Sequence, residues 1–219
     1  MPLRQPIKRR FHPNDTKLRE LILLLAEWSQ ADPKFGAIKL NKLLFHADFS
    51  AFLTYGEPIT GQEYFALPQG PAPRRLKPMT ELMIKHQEFA WQTVQFFDRK
   101  QKRPIALRSP DLSVFTGPEV GLIRQTIEKF WRLSATEISD QSHLFLGWKA
   151  AHLKETIPYS TALVSRRAPT AAELQRGLQL KDLAARARHI NGKRKKRHGR
   201  FYFLGADAFA RVRPKPDAW

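Results

Sequence analysis

The chain of 219 residues contains no cysteine. That absence removes disulfides, thiolate zinc sites and cysteine nucleophiles together, and leaves nothing to argue for an oxidising compartment. The cytoplasm is the expected address. Long apolar runs are missing as well: the longest, LILLLA at residues 21–26, is far too short to cross a bilayer core of about 30 Å. The basic N-terminus is not followed by a signal-type apolar region with a small-residue cleavage site, so no membrane association is expected. Acid is scarce, with 20 Asp and Glu against 38 Lys and Arg. The chain also lacks a phosphate loop, a dinucleotide fingerprint, a paired-histidine zincin motif and a nucleophile elbow. No enzyme signature remains, no cofactor or metal is expected, and no internal repeat occurs.

What the chain does have is enough apolar material for a core, 42% of residues with 11% aromatic, and a length that suits one domain with a tail. Its formal charge is +18, with a pI near 10.5. A field of that sign draws in polyanions and acidic proteins alike. Residues 1–13 carry Arg4, Lys8, Arg9 and Arg10 without an acid and are expected to form a basic arm, ordered only where it docks. Asn14 or Asp15 suits a helix N-cap. From there to about residue 30, Leu18, Leu21, Ile22, Leu25 and Trp28 recur at helical spacing, which turns Lys17, Arg19, Glu20 and Glu27 outward. Pro33 and Gly36 break the chain before a second helix packed on the first.

That second helix, residues 38–55, is apolar on almost every side through Leu40, Leu43, Leu44, Phe45, Ala47, Phe49, Ala51, Phe52 and Leu53. Such a helix must be buried. Two narrow polar strips interrupt it, one of Lys39, His46 and Ser50 with Lys42 at its edge, the other of Asn41 and Asp48. Gly56 suits its C-cap and Pro58 a sharp stop. Residues 62–67 fit a short strand, 68–73 a loop punctuated by proline and glycine, and Pro73 a helix start, with Pro78 keeping that helix short or restarting it at Met79. Residues 88–98 and 102–108, with Phe89, Trp91, Val94 and Phe96, point to a small antiparallel sheet that 112–115 continues. Thr116 with Pro118 and Glu119 opens a helix bearing Leu122, Ile123, Ile127 and Phe130, and Ser134 with Glu137 is a capping box for another reaching His143. A further box, Thr170 with Glu173, opens a helix to about residue 187. The expected fold is α+β, a mostly helical single domain around a buried central helix with a small antiparallel sheet.

The order of these pieces resembles the Panacea domain, the family of SocA-like and GepA-like antitoxins. The resemblance rests on Lys39-Leu40, Lys42-Leu43-Leu44-Phe45, Ala47-Asp48, Tyr55-Gly56, Pro58 and Gly70-Pro71, then on Ser142-His143, Gly147-Trp148 and Ile157-Pro158-Tyr159. It implies a domain over residues 14–187 that binds and neutralises a cognate toxin by protein–protein interaction, or, in the SocA case, hands a toxin to a protease. A basic segment, 188–219, lies beyond it.

The candidate partner-binding residues are Lys39, Lys42, His46, Gly70, Pro71 and Trp148. Two lysines on a buried helix call for an acidic partner or an exit to solvent, so each either holds the fold or touches a partner. His46 with Asp48, or His143 with His152, are the pairs to weigh as metal or acid–base groups against ordinary hydrogen-bonded structural residues. Trp148 and the aromatics of the sheet either present a recognition surface or fill the space between sheet and helices. In the C-terminal segment Lys193, Arg194, Lys195, Lys196, Arg197 and Arg200 form an acid-free run at a possible hairpin tip between Gly192 and Gly199, feeding a strand at 201–204. Such a run suits phosphate contact with nucleic acid, docking of an acidic protein, or solvation alone.

Overall fold

Helix α1, Asp15–Trp28, begins where the Asn14 side chain accepts a hydrogen bond from the Lys17 N–H, and its LILLLA run is buried on all sides. The computed structural model describes residues 11–96 and 99–163 together with Gln175. The expected arm up to residue 10, the helix over 170–187 and the basic segment 188–219 with its strand lie outside the described residues. Of the last residues of that arm, Phe11 packs on the body: its ring stands edge-on to Phe52 and Tyr159, 5.7 and 5.5 Å between centroids.

Helix α2, Ala37–Tyr55, follows the short connection and is the axis of the structure, touching α1 and several of the elements introduced below. Gly56 closes it in the left-handed conformation, φ 79°, a geometry that glycine adopts without strain. Two clusters of buried side chains flank α2. Leu40, Leu43, Leu44, Ala47 and Ala51 join α1 and later helices in the larger one, while Phe45 and Phe49 enter an aromatic cluster with Tyr64, Phe145, Ile157 and Ala162.

Strands β1, Tyr64–Leu67, and β2, Gly70–Pro73, pair through a two-residue turn, with Ala66 opposite Pro71 and Leu67 opposite Gly70. The loop expected over 68–73 is therefore largely strand. The sheet order, β2-β1 and then the short strand Thr156–Ile157, explains why: β2 is an edge strand, where a proline without an N–H breaks no ladder bond. Pro73 ends that strand. Helix α3, Leu76–Lys85, opens three residues later than expected and runs through Pro78, which lies in its first turn where no intrahelical N–H is needed.

The expected small antiparallel sheet is the hairpin of β3, Phe89–Phe96, and β4, Arg99–Ala106. It ends sooner than the sequence suggests, because residues Leu112–Val114 form a 3-10 turn capped by Asp111. Helices α4, Gly117–Phe130, and α5, Ala135–His143, start at the capping boxes of Thr116 with Glu119 and Ser134 with Glu137. A short α6, Leu146–Ala150, leads to β5, Thr156–Ile157, and a final 3-10 turn, Tyr159–Leu163.

Glu20, expected outside, is 5% exposed. It receives the Arg108 guanidinium through Nη1 and Nη2 and the Asp111 N–H, and Arg108 with Arg19 also grips Glu88. These hydrogen bonds hold the Glu20 and Glu88 carboxyls below their usual range against the opposing effect of burial. The network joins α1, the start of β3 and the segment after β4.

Candidate functional site

The charged and histidine side chains of α2 meet different fates. Lys39 and Lys42 are each 1% exposed. The Lys39 ammonium donates to Asp32 Oδ2 at 2.5 Å and to the carbonyls of Trp131 and Leu133 at 2.9 and 2.8 Å, so its three protons meet three acceptors. Burial draws its pKa down while Asp32 opposes that fall. Asp32 is set by the loop between α1 and α2, whose carbonyls at Gln30, Asp32 and Pro33 accept from Arg103 of β4. Lys39 thus welds the end of α4 to the start of α2.

Asp48, on the other strip, accepts from the Thr60 N–H at 2.7 Å, from the Thr60 hydroxyl and from the Tyr64 hydroxyl at 2.8 Å. Desolvation raises its pKa against the pull of these donors. The His46 ring stacks on Phe130 at 4.3 Å, and its Nε2 is buried without a hydrogen-bond partner. Burial, with Lys129 and Lys42 adding repulsion, pulls its pKa down to about 3, which keeps it neutral. With Asp48 fully engaged and His46 against a phenyl ring, the two do not form a metal pair. Nor do His143 and His152: His143 stacks on Trp148 at 4.3 Å while His152 is exposed. Among the described residues no cluster of three or more His, Cys, Asp or Glu is placed to hold a metal ion.

Lys42 is the exception on the helix. Among the described residues its ammonium donates to the Pro71 carbonyl alone, at 3.2 Å, and no carboxylate stands near it. Desolvation is the one cause that moves its pKa, down to about 8. It lines a cavity of about 260 Å³ with Ile38, Asn41, Leu67, Pro68, Gln69 and Gly70. Gly70 makes this approach possible: its φ is 98°, and a Cβ built there would lie 2.5 Å from Lys42 Nζ and 2.4 Å from Ser142 Oγ. The turn at Pro68-Gln69 is fixed from two sides. The Ser139 hydroxyl of α5 donates to the Gln69 carbonyl at 2.8 Å, and Trp148 Nε1 donates to the Leu67 carbonyl at 2.9 Å.

Of the residues singled out in the sequence, the structure gathers Lys42, Gly70 and Pro71 in one place, with Trp148 bracing their turn. Lys39 serves the fold, and His46 faces Phe130. Of the aromatics, Phe89 is buried and Trp91 is half-buried under Lys102, whose ammonium lies 4.8 Å from its ring centroid. Lys193, Arg194, Lys195, Lys196, Arg197 and Arg200 lie outside the described residues. Asn41, Gln69 and Ser142 were not singled out as site residues. Asn41 gave a signal as part of the second polar strip, and Ser142 as part of the Ser142-His143 pair that carries the resemblance.

A family model described as antitoxin SocA-like, Panacea domain, matches residues 40–149, half of the 219-residue chain. Lys42, His46, Gly70, Pro71 and Trp148 fall inside the match, Lys39 immediately before it, and the basic run beyond it. No curated protein and no solved structure matches the chain.

Proposed function

The chain belongs to the Panacea-domain family of SocA-like antitoxins, and we propose on that premise that it binds a partner toxin and neutralises it by masking. The family match over residues 40–149 carries this conclusion. Masking needs no chemistry, and three polar groups of α2 whose types also serve in catalysis, Lys39, Asp48 and His46, are spent inside the fold, leaving Lys42. What reaches the surface beside Lys42 is a rigid turn and a small cleft, features suited to a protein interface. The test is co-expression with the product of each neighbouring open reading frame. The expected result is one product that arrests growth alone, is rescued by this chain and co-purifies with it in stoichiometric amounts. Recovery of nucleic acid alone, with no stoichiometric protein and no rescue, would count against it.

A second reading rests on where the charge lies. Residues 11–163 hold 19 Lys and Arg against 16 Asp and Glu, a net of +3, so +15 of the formal +18 falls on 1–10 and 164–219. That concentration supports nucleic-acid contact by the flanks, through phosphates and with little sequence preference. A gel-shift series at rising salt tests it. Binding should weaken steeply with salt and vanish when Lys193, Arg194, Lys195, Lys196 and Arg197 are replaced by Gln; binding that survives this replacement refutes it.

A further inference from the structure

Two lysines three residues apart on one buried helix differ in a way the fold does not require. Lys39 has a full set of acceptors, one of them a carboxylate. Lys42, equally buried, has one carbonyl at 3.2 Å and two N–H bonds unused among the described residues. A buried ammonium left in that state is unfavourable unless something else reaches it. The cavity it lines is the route by which something does. Asn41 lines the same cavity, and its Oδ1 is buried with no hydrogen-bond partner among the described residues. One unmet positive donor and one unmet neutral acceptor thus share a cleft whose other walls, Ile38, Leu67 and Pro68, are apolar.

We propose that this cleft is a recognition site for an acidic side chain of the partner protein, with Lys42 Nζ receiving the carboxylate and Asn41 Oδ1 accepting an N–H from the backbone of the same residue. The pairing favours an Asp or Glu within a chain over a bare carboxylate such as acetate, which brings nothing to donate to Asn41. Size points the same way: about 260 Å³ lies under the roughly 300–1,000 Å³ of sites that take metabolites and cofactors, and suits one side chain with its peptide unit. The apolar walls would cover the methylenes. Gly70 and the two braces of its turn keep the cleft open in a fixed shape, so little ordering is needed on binding. The site deepens the antitoxin proposal by naming the chemistry of the contact, and rests on that proposal only for the identity of the partner.

The test uses full-length protein and three small probes. N-acetyl-glutamate N′-methylamide presents a side-chain carboxylate in a peptide setting, N-acetyl-glutamine N′-methylamide is its neutral isostere, and N-acetylglycine presents a chain-end carboxylate. At pH 6.5 the Lys42 ammonium is charged, since burial takes it down only to about 8. Titration followed by NMR at the Lys42 Hε/Cε and Asn41 side-chain signals should show saturable shifts with the glutamate probe. The glutamine isostere should bind at least tenfold more weakly, and saturating glutamate probe should move the Lys42 titration upward in pH. Lys42→Met should abolish the response. Asn41→Asp, which supplies an internal carboxylate and keeps Lys42, should weaken it at least tenfold without touching the core. Equal binding of the glutamate and glutamine probes, an unchanged response in both variants, or no saturable shift at all overturns the proposal. So does a preference for N-acetylglycine, which would make the site a chain-end receptor. Because the probes need no toxin, the two proposals fail separately: a toxin captured by a chain blind to the probes sinks the cleft alone, and probe binding with no toxin sinks the antitoxin role alone.

Discussion

Replacing either lysine of α2 by methionine makes a similar change of buried side chain and removes one positive charge, yet only the substitution at Lys39 should destabilise the fold. Lys39→Met leaves Asp32 buried, at 1% exposure, with its ammonium partner gone, and also strands the carbonyls of Trp131 and Leu133. Breaking a buried pair from one side typically costs about 3–5 kcal/mol. Lys42→Met orphans no acid. It loses one long hydrogen bond to the Pro71 carbonyl, worth about 1 kcal/mol, and removes the penalty of burying an ammonium. A fall in pKa from 10.5 to about 8 corresponds to about 3 kcal/mol against the charged form at neutral pH. Allowing about 1 kcal/mol for imperfect packing of methionine, the variant should be neutral to roughly 1–2 kcal/mol more stable. Urea denaturation at pH 7 measures both. The pH dependence supplies a second check. The Lys42 pKa is lower in the folded state, so between about 8 and 10.5 the unfolded chain holds more protons and wild-type stability rises with pH. The penalty is complete below pH 8 and gone above 10.5, so the advantage of Lys42→Met should fade across that window. A Lys42→Met protein destabilised as much as Lys39→Met would refute the reasoning and make Lys42 a structural pin like its neighbour.

His46 supplies an acid-side counterpart. Its pKa is lowered to about 3 from 6.5, so the stability it permits is whole above 6.5 and is lost as pH falls towards 3; His46→Phe, which keeps a ring against Phe130, should gain about 2–3 kcal/mol over wild type at pH 4 relative to pH 7 by thermal denaturation. Asp48→Asn replaces one acceptor with an NH₂ among four donors and should lower stability by about 2–3 kcal/mol in urea titration; an unchanged midpoint would show that those hydroxyls reorganise freely. Gly70→Ala forces a Cβ against Ser142 Oγ and Lys42 Nζ at a φ of 98° and should cost about 3 kcal/mol through strain and overpacking together. A Gly70→Ala protein with an unaltered thermal midpoint would mean that the turn moves away from α2 at no expense.

What the sequence revealed was local. The capping boxes at Thr116 with Glu119 and at Ser134 with Glu137, the αL glycine after α2 and the burial of α2 itself each depend on residues within a turn or two of one another, and each stands where the pattern puts it. The alternating aromatics of 89–96 likewise make the expected hairpin. What it hid was set by partners far along the chain. Glu20 lies on the polar side of an amphipathic pattern and is drawn inside by Arg108, 88 residues later. Gly70–Pro73 has the composition of a loop and becomes a strand because the sheet leaves it an edge. The candidate site was half visible. Two lysines on an apolar helix announced that something must answer their charge, but only the tertiary fold places Asp32 beside Lys39 and, among the described residues, nothing acidic beside Lys42. Residues 38–42 and 67–70 form one cleft only after β1 and β2 fold back on α2.

The partition of charge between the described body and the rest of the chain bears on how the two proposed contacts divide the work of binding. A body of net +3 exerts little long-range pull, whereas the +15 on residues 1–10 and 164–219 creates a field felt over about a Debye length, near 10 Å at 0.1 M salt. Such a field acts on the rate of encounter and fades as salt is added. A desolvated carboxylate held by Lys42 acts on the lifetime of the complex, and salt reaches it poorly because the ammonium is 1% exposed. If both belong to one interface, neutralising the basic run should slow association and leave dissociation alone, while Lys42→Met should do the reverse. A Lys42→Met complex that dissociates at the wild-type rate would leave the flanks as the sole contact that matters. The dominant ligand would then be a polyanion read by charge, with no need for the cleft that α2 and the β1–β2 turn maintain.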